Sequence, residues 1–239
     1  MSFDLPRDVI LPVDAVDVRL DPSLHPFERD NEAAIAENWR REMEAKPALY
    51  DGTVVLLSAL AYRDSRLVGR CHAVKYSTFM LWRKNRELSG AEHAYAHAVL
   101  VAGDNALVAI RMGSHTVNAG RVYFAAGSFE PVDFRDGLVD VDFNMIREVG
   151  EETGIDLSVA QRGQRYYALS TASGTVIFRR YQVAEPADEI ARRIGAFVAS
   201  EAEPEIAEPV IIRHAADLPD GLMGHMKPLI EWHFAGEQA

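Results

Sequence analysis

One stretch of nine residues, 147–155, constrains the chain more than any other, because it places three carboxylates on one arc of a predicted helix and then ends in glycine. Glu148, Glu151 and Glu152 stand at i, i+3 and i+4, so they project from the same side of that helix. Their mutual repulsion would raise their pKa values, whereas a hard divalent cation such as Mg²⁺ or Mn²⁺ would turn this crowding into coordination. The stretch therefore predicts a metal-binding helix, with an acidic solvent-facing surface as the alternative.

The residues around this acidic arc predict how the helix is held. Three apolar side chains recur at a spacing of three and give the helix a face to bury, namely Phe143, Ile146 and Val149. Asp140 or Asp142 is expected to cap the start of the helix, because an aspartate oxygen accepts a backbone N–H well there. Gly154 fits the left-handed residue that often follows a helix, so we expect a sharp turn after the acidic residues.

This segment, with the residues before it, resembles the Nudix box of the MutT-related hydrolases, whose pattern is G-x5-E-x7-R-E-U-x-E-E-x-G-U, with U aliphatic. The second half of the pattern matches at every position. The first half departs from it, because Gly127 stands twenty residues before Arg147 where the family has fourteen, so we place six extra residues in the polar stretch 132–138. The family's early glutamate falls on Val139, so that acid is either absent or replaced by Asp140.

The resemblance implies a pyrophosphohydrolase that cleaves the diphosphate linkage of a nucleoside diphosphate derivative, with Mg²⁺ or Mn²⁺ as cofactor. It also implies an α/β fold, an α/β/α sandwich with a mixed sheet. On the matched positions, Glu151 and Glu152 are expected to be the principal metal ligands, and Glu148 a further ligand or a general base. Arg147 is expected to orient a glutamate through a charge-assisted hydrogen bond.

Further site residues are expected outside the second half of the box. Gly127 would let the backbone approach the phosphates, and Glu130 matches an acid that often follows the loop glycine. Members of the family commonly take another acid from a separate loop, for which Glu205 is our first choice and Glu208 the second. An exposed acidic loop is the alternative for that run. Candidate cations for the substrate phosphates are Arg111, Arg121 and Arg179.

The composition narrows the classes of protein and partner. A net charge of −11 disfavours extended nucleic acid as a partner, whereas a small phosphorylated nucleotide stays compatible because a metal would meet its charge. No apolar run is long enough for a membrane span, and the N-terminus carries acid where a secretory signal carries positive charge. The single cysteine, Cys71, is expected to be buried in a strand. These features predict a cytoplasmic protein, and a homodimer is the default expectation.

The hydrophobic pattern changes near residue 94, which predicts an N-terminal extension over 1–93 and the Nudix domain over 94–239. The expected elements of the extension are a helix from Phe27 to Met43, a hairpin of Thr53 to Ala61 with Leu67 to Lys75, and a helix from Tyr76 to Arg83. Those of the domain are a hairpin of Ala96 to Val101 with Ala106 to Arg111, paired strands Tyr166 to Thr171 and Thr175 to Val183, a helix from Asp188 to Ser200, a strand from Pro209 to Arg213, and a helix from about Leu222 to Phe234.

Several functional alternatives stay open at this point. A nucleoside diphosphate sugar ranks first as substrate, ADP-ribose or a dinucleotide second and a nucleoside triphosphate third, by analogy with larger nucleotide-sugar hydrolases. Val139 in place of the family's glutamate motivates a second class, a nucleotide-binding or regulatory module with little turnover. A third is a scaffold that recruits protein through aromatic residues of the extension. His93 and His97 have helical metal-ligand spacing, but their segment alternates like a strand, which disfavours a metal there.

Overall fold

The computed structural model describes residues 3–47, 49–86 and 90–236. Two compact units interleave along the chain. Unit 1 consists of the chain up to Tyr95 together with Ser128–Val141 and Ala168–Val176, and unit 2 consists of Ala96–Gly127, Asp142–Tyr167 and the chain from Ile177 onward. The predicted boundary between 93 and 94 describes the extent of a family domain and stays a prediction.

Strands and helices follow one another along the described chain. The strands are β1 (Phe3–Asp4), β2 (Ile10–Val13), β3 (Ala15–Asp21), β4 (Thr53–Arg63), β5 (Arg66–Lys75), β6 (Ala94–Val101), β7 (Leu107–Met112), β8 (Val122–Tyr123), β9 (Phe134–Arg135), β10 (Leu138–Val139), β11 (Gln161–Arg162), β12 (Tyr166–Thr171), β13 (Gly174–Gln182) and β14 (Ile206–Ile212). The α-helices are α1 (Pro26–Asp30), α2 (Glu32–Ala45), α3 (Tyr76–Lys84), α4 (Val141–Thr153), α5 (Ala187–Ser200) and α6 (Met226–Phe234). No helix of the described residues is both long enough and apolar enough to cross a membrane.

Unit 1 is built on a mixed sheet with the strand order β1-β4-β5-β3-β10-β9. The predicted hairpin of β4 and β5 is confirmed, and it closes through Asp64 and Ser65, whose φ angles of 47° and 58° are those of a tight hairpin turn. Strand β3 runs parallel to β5 and β1 runs parallel to β4, so the sheet is mixed. Cys71 is fully buried in β5, as expected, and burial raises the pKa of its thiol to about 12.

The helices of unit 1 differ from the prediction at one point. The single helix expected from Phe27 to Met43 is two helices, because the chain breaks at Asn31 between α1 and α2. The Asn31 side-chain amide donates to the Phe27 carbonyl at 2.8 Å and so satisfies the end of α1. Helix α3 is confirmed, and its aromatic side chains Phe79 and Trp82 pack in a buried cluster. The described part of this cluster is core, which does not supply the exposed aromatic face that the scaffold hypothesis needs.

The polar stretch 132–138, in which we place the six extra residues, forms a 3-10 turn and a short hairpin. A 3-10 turn over Pro131–Asp133 leads into a hairpin of β9 and β10, whose turn uses Asp136 and Gly137 at φ angles of 50° and 76°. Strand β10 then pairs with β3, so this hairpin extends the sheet of unit 1. Val139 is buried and pairs with Phe134, so the position of the family's early glutamate is occupied here by a packing residue.

Unit 2 contains a sheet with the strand order β14-β7-β6-β13. The hairpin of β6 and β7 is confirmed, and β14 pairs antiparallel with the other edge of β7. Strands β6 and β13 run parallel. The Thr175 N–H donates to the His93 carbonyl and the Val183 N–H donates to the Val101 carbonyl, so the two bonded pairs are separated by the same number of residues in sequence. The described chain thus confirms the predicted mixed α/β class.

Alternate residues of β13 define the layers of unit 2. Arg179 and Tyr181 bond to Asp142 of α4, whereas Phe178 and Arg180 contact the ring of Trp232 in α6. Because successive strand residues point to opposite faces, α4 and α6 lie on opposite faces of the sheet. This is the predicted α/β/α arrangement.

Helix α6 begins at Met226, later than the predicted Leu222. The difference has a visible cause in the preceding residues. Leu222 forms a bridge with Val122, and Met223 N–H donates to the Val122 carbonyl at 3.0 Å. These residues are therefore held extended against β8 and cannot join the helix.

Candidate active site

Helix α4 follows the predicted turn at its end but only part of the predicted apolar face, since Val149 is buried whereas Phe143 and Ile146 are half-buried. It begins at Val141, which puts Asp140 at the N-cap position, and the alternative of Asp142 as the cap is wrong because Asp142 lies inside the first turn. Met145 and Val149 are buried beneath the helix. Gly154 follows the helix at a φ angle of 69°, in the left-handed conformation that was expected.

The acidic arc of α4 opens into a cavity of about 200 Å³ within unit 2. Two other segments complete its walls, the last residues of α5 and the loop that leads into β14. The lining residues are Glu148, Glu151, Glu152, Phe197, Val198, Glu201, Glu203, Pro204 and Glu205. Six of these are glutamates, so the cavity carries a concentrated negative charge and presents hard oxygen donors.

Glu152 is the carboxylate most strongly affected by this environment. The backbone N–H of Ala126 donates to its Oε2 at 3.0 Å. Burial and then repulsion from Glu148 raise the pKa of Glu152 to about 8, with smaller contributions in the same direction from Glu205 and Glu151. Without a cation, this group therefore holds a proton near neutral pH.

Arg147 links the other two carboxylates of the arc. Its Nη2 lies 2.7 Å from Glu148 Oε1, and its Nη1 donates to Glu151 Oε2 at 2.9 Å. The side chains of Arg147 and Glu148 are largely buried, whereas that of Glu151 is 60% exposed. One guanidinium thus fixes Glu148 in a polar, shielded position and holds Glu151 at the rim of the cavity.

Gly127 provides space for one of these carboxylates. A β-carbon built on Gly127 would lie 2.0 Å from Oε1 of Glu148 and 2.1 Å from its carboxyl carbon, far inside contact distance. Any side chain here would displace Glu148. The space over Gly127, which the sequence suggested for close approach of a phosphate, is filled by Glu148 in this structure.

The two acids proposed from the separate loop occupy different environments. Glu205 lines the cavity and contributes to the raised pKa of Glu152, and its carbonyl accepts from Gly113 N–H at 2.7 Å. Glu208 lies within β14, does not line the cavity and pairs with Arg111 at 2.8 Å. The structure thus brings Glu205 to the acidic arc of α4 and directs Glu208 elsewhere.

The remaining candidates from the sequence lie away from the cavity lining. Arg111 bonds to Glu208 and to the carbonyls of Gly120 and Asp220, and Arg121 is exposed just before β8. Arg179 bonds to Asp142. Glu130 belongs to unit 1, where it precedes the 3-10 turn, and its backbone N–H donates to Oδ2 of Asp133 at 2.8 Å.

The two histidines singled out from the sequence lie in different surroundings. His97 belongs to strand β6 and His93 directly precedes it, so the helical spacing is not realised. His93 contacts the hydroxyl of Ser128 at 3.0 Å, whereas His97 contacts Nε2 of His225 at 2.9 Å. The two histidines thus have separate partners.

The residues of the acidic cavity fit a hard divalent cation in their chemistry. Carboxylates are preferred ligands of Mg²⁺ and Mn²⁺, and the raised pKa of Glu152 reflects burial first and then neighbouring negative charge, which a cation would neutralise. The side chains are not gathered into a coordination shell, since the described residues contain no group of three or more His, Cys, Asp or Glu placed to hold an ion. The donors are therefore present, and in this structure Glu148 and Glu151 are paired with Arg147 while Glu152 accepts from the Ala126 amide.

Several lining residues were not singled out from the sequence. Phe197 and Val198 come from the end of α5, and the ring of Phe197 occupies the space beside Gly154, where an added β-carbon would lie 2.5 Å from it. Glu201 and Glu203 belong to the acidic run that was noticed. Ala126 contributes only its backbone, which leaves no mark in a side-chain pattern.

Comparisons with known proteins add distant similarities. No protein-family model matches the chain, and no curated protein matches it. Among solved structures, the fold is similar to a MutT protein from Methanosarcina mazei Go1, with 16% identity, a TM-score of 0.40, and coverage of 62% of this chain and 96% of that one. It is also similar to DR0079 from Deinococcus radiodurans, with 12% identity, a TM-score of 0.40, and coverage of 75% and 99%.

A third similar structure is a NUDIX hydrolase from Nitrosomonas europaea, with 17% identity, a TM-score of 0.32, and coverage of 51% of this chain and 72% of that one. At these levels of identity and TM-score, the case for a function rests on the residues of the site.

Proposed function

We propose that this protein is a divalent-metal-dependent pyrophosphohydrolase that cleaves the diphosphate linkage of a nucleoside diphosphate derivative. The observation that carries the proposal is the convergence of Glu148, Glu151 and Glu152 with Glu205 at one cavity. Six glutamates line this cavity, and such a concentration of charge is unfavourable unless a cation joins it. The second half of the Nudix-type motif supplies the first three of these acids.

Glu148, Glu151 and Glu152 would hold the metal, and Glu205 would assist from the opposite wall. A bound Mg²⁺ or Mn²⁺ would neutralise diphosphate charge and make a water nucleophilic near neutral pH. The protein residues prepare this site. The Ala126 amide positions Glu152, Arg147 orients Glu148 and Glu151, and the missing side chain of Gly127 leaves room for Glu148.

Glu152 also has a role in proton balance. Its pKa of about 8 means that the metal-free protein carries a proton on this carboxyl at neutral pH. Cation binding favours the ionised form, so binding should release that proton to solvent. Metal affinity should therefore increase with pH across the neutral range.

The substrate order follows the sequence analysis. A nucleotide sugar is the first choice, ADP-ribose or a dinucleotide the second, and a nucleoside triphosphate the third. The acidic cavity itself presents carboxylates and a short apolar wall of Phe197, Val198 and Pro204. These residues support recognition of a metal-bound diphosphate and leave the base and the leaving group to be assigned by assay.

A second candidate is a nucleotide-binding or regulatory module with little turnover. Two observations favour it. Val139 is a buried strand residue where the family has a glutamate, and Glu148 is engaged by Arg147. A module of this kind would bind a nucleotide without releasing products, and its binding would respond little to loss of one carboxylate.

A hydrolysis screen separates the two candidates. The wild type is incubated with nucleotide sugars, ADP-ribose, dinucleotides, coenzyme A and nucleoside triphosphates, each with Mg²⁺ or Mn²⁺, and phosphate-containing products are measured. The matched variants are Glu152→Gln, inside the cavity, and Glu208→Gln, an acid of β14 paired with Arg111.

If the protein is an enzyme, the wild type hydrolyses at least one of these substrate classes. Its turnover falls by at least about 100-fold in Glu152→Gln and stays unchanged in Glu208→Gln. If the wild type and both variants bind a nucleotide but release no products, the result supports the regulatory module instead. Equal turnover in wild type and Glu152→Gln would place the chemistry elsewhere.

A further inference from the structure

A serine and a histidine meet on one face of the sheet in unit 1. Ser58 lies in β4 and His72 in the neighbouring strand β5, and Nε2 of His72 lies 2.9 Å from Oγ of Ser58. The pairing of β4 with β5 shifts its register between Leu57 and Ala59, so Ser58 is the extra residue of a β-bulge. A bulge changes the direction of a side chain, and here the Ser58 hydroxyl is directed at the histidine ring.

The hydrogen bonds of His72 fix the position of the proton between the two side chains. Nδ1 of His72 lies 2.9 Å from the backbone carbonyl oxygen of Ser23, which can only accept, so Nδ1 carries a proton and donates this bond. In the neutral ring Nε2 is then an acceptor, and the Ser58 hydroxyl donates to it. A serine that donates to an imidazole nitrogen is arranged for deprotonation by a general base.

Further contacts hold the histidine ring and its carbonyl partner in place. Asp21 of β3 accepts from the backbone N–H of Ser23 at 2.9 Å and from its hydroxyl at 2.6 Å, which orders the bend that presents the carbonyl. The ring of His25 stands edge-on to that of His72 at 4.9 Å between centres, and its Nε2 donates to the Leu57 carbonyl at 3.2 Å. The histidine is thus oriented by a third group, as a general base for a serine must be.

The serine and histidine lie where this face of the sheet opens to solvent. His72 is 3% exposed and Ser58 is half-buried, so a small molecule can reach the hydroxyl while the base behind it is shielded. Arg70 stands two residues from His72 on the same face of β5, and it pairs with Asp21 at 3.4 Å. Its guanidinium is therefore held on the face where negative charge would develop on a substrate oxygen.

Unit 1 contains a second serine–histidine contact that serves as a comparison. Nε2 of His93 lies 3.0 Å from Oγ of Ser128. Burial and then repulsion from Arg83 and Arg86 lower the pKa of His93 to about 3, so it is a weak base near neutral pH. Ser128 therefore has a matching hydrogen bond but a partner poorly suited to remove its proton.

We infer that Ser58 and His72 form a nucleophile and general base that hydrolyse small carboxylic esters, at residues other than those of the acidic cavity. Oγ of Ser58 bonds to the acyl carbon while its proton passes to Nε2 of His72, and the alcohol leaves with that proton as the ester C–O bond breaks. Water then attacks the acyl-serine and gives a proton to His72. The bond to Ser58 breaks, Oγ regains its proton from His72, and the carboxylic acid is released.

The test measures acylation of the full-length protein in EDTA, so that no metal-dependent hydrolysis contributes. One probe is p-nitrophenyl acetate, whose release of p-nitrophenol is followed by absorbance. The other is a fluorophosphonate, whose covalent adduct is located by peptide mass spectrometry. The variants are Ser58→Ala, which removes the nucleophile, and His72→Gln, which removes the base. The matched control is Ser128→Ala, which removes the serine of the other contact, and circular dichroism checks the folding of each protein.

The inference predicts that the wild type carries the fluorophosphonate on Ser58. The wild type should also release p-nitrophenol at least about 100-fold faster than Ser58→Ala or His72→Gln, because both the nucleophile and its base are needed. Ser128→Ala should react at the wild-type rate within about twofold. If His72→Gln does not fold, the position of the adduct and the rate of Ser58→Ala decide the test.

An adduct on Ser128 instead of Ser58, no adduct on the wild type, or equal rates in the wild type and Ser58→Ala would overturn the inference. The contact of Ser58 with His72 would then be a structural hydrogen bond of the hairpin. A failed nucleotide hydrolysis screen would leave this result unaffected, since neither a nucleotide nor a metal enters the measurement.

Discussion

The two ends of helix α4 carry carboxylates in opposite electrostatic situations. Near the start, Asp142 accepts hydrogen bonds from Tyr181 at 2.6 Å and from Arg179 at 2.7 Å. Burial alone would raise the pKa of Asp142, but the bonds from Tyr181 and Arg179 outweigh burial and hold the pKa below its usual range. Near the end, burial and then repulsion from neighbouring acids raise the pKa of Glu152 to about 8.

The helix dipole increases this contrast, because acids are favoured at the start of a helix and disfavoured at its end. Asp142 is therefore satisfied within the protein and serves to hold α4 on the sheet. Burial and neighbouring acids dominate the surroundings of Glu152, and under the proposed function a cation would offset their charge. A buried carboxylate thus indicates structure or function according to the charges around it.

The largest expected effect is a difference in catalytic activity between substitutions at the two ends of helix α4. Glu152→Gln should lower kcat by at least about 100-fold, because its loss removes a charged group of the reacting site. Asp142→Asn should lower activity per folded molecule by less than about tenfold, since it supports the fold. Steady-state kinetics on the substrate identified by screening measures both. Equal losses of activity in the two variants would contradict the distinction between a functional Glu152 and a structural Asp142.

Arg147→Gln should have the next largest effect. The guanidinium orients Glu148 and Glu151, and removal of such a supporting residue commonly costs about 10–100-fold in metal affinity or activity. The measurement is kcat as a function of Mg²⁺ concentration, which should show a higher metal requirement. Arg192→Gln, at an exposed pair with Glu189 in α5, is the control and should behave as the wild type.

Stability should respond most strongly at the other end of the helix. Asp142→Asn should lower the free energy of unfolding by about 3 kcal/mol, because it leaves the largely buried Arg179 without its ionic partner. Arg162→Gln removes an exposed partner of the same aspartate and should cost no more than about 1 kcal/mol. Urea unfolding of both variants checks the prediction, and a larger loss in Arg162→Gln would contradict it.

The pH dependence of metal-free stability is the last expected effect, and it has a defined sign. The pKa of Glu152 rises from 4.5 to about 8 on folding, so the native state binds this proton more tightly than the unfolded state. Its contribution to stability is complete below pH 4.5 and is lost as the pH rises through 8.

Glu152→Gln should therefore remove part of the loss of stability that the wild type shows between about pH 5 and pH 8 in EDTA. Thermal unfolding at a series of pH values measures the difference between the two proteins. A parallel pH profile in wild type and variant would show that Glu152 titrates normally, and the contrast with Asp142 would then be lost.

The sequence predicted elements whose signals are local. The hairpin of β4 and β5, the helix α5 and the glycine after α4 all depend on periodicity or on one special residue, and each is present. The break at Asn31 was missed because it depends on one side-chain hydrogen bond within an otherwise continuous helical pattern. The strand pairing of β10 with β3 was missed because it joins residues far apart in the chain.

The candidate site likewise contains residues that could be predicted from local sequence and residues that could not. The acidic arc of α4 could be predicted because its members lie within one helical turn of each other. Phe197 and the Ala126 amide could not, since they reach the arc only through tertiary packing and, for Ala126, through a backbone group. Arg179 was interpreted as a substrate cation, but it is the partner of Asp142, because an arginine's partner is set by the fold rather than by its neighbours in sequence.

Titration of Mn²⁺ into the metal-free protein near pH 8, followed by electron paramagnetic resonance of the free ion, tests the central claim most directly. The account predicts that the wild type binds Mn²⁺ with release of protons, that Glu152→Gln binds it at least about tenfold more weakly, and that Glu208→Gln binds it as the wild type does. Equal Mn²⁺ affinity in the wild type and Glu152→Gln, or no binding to the wild type, would contradict the assignment of the acidic end of α4 as a metal site.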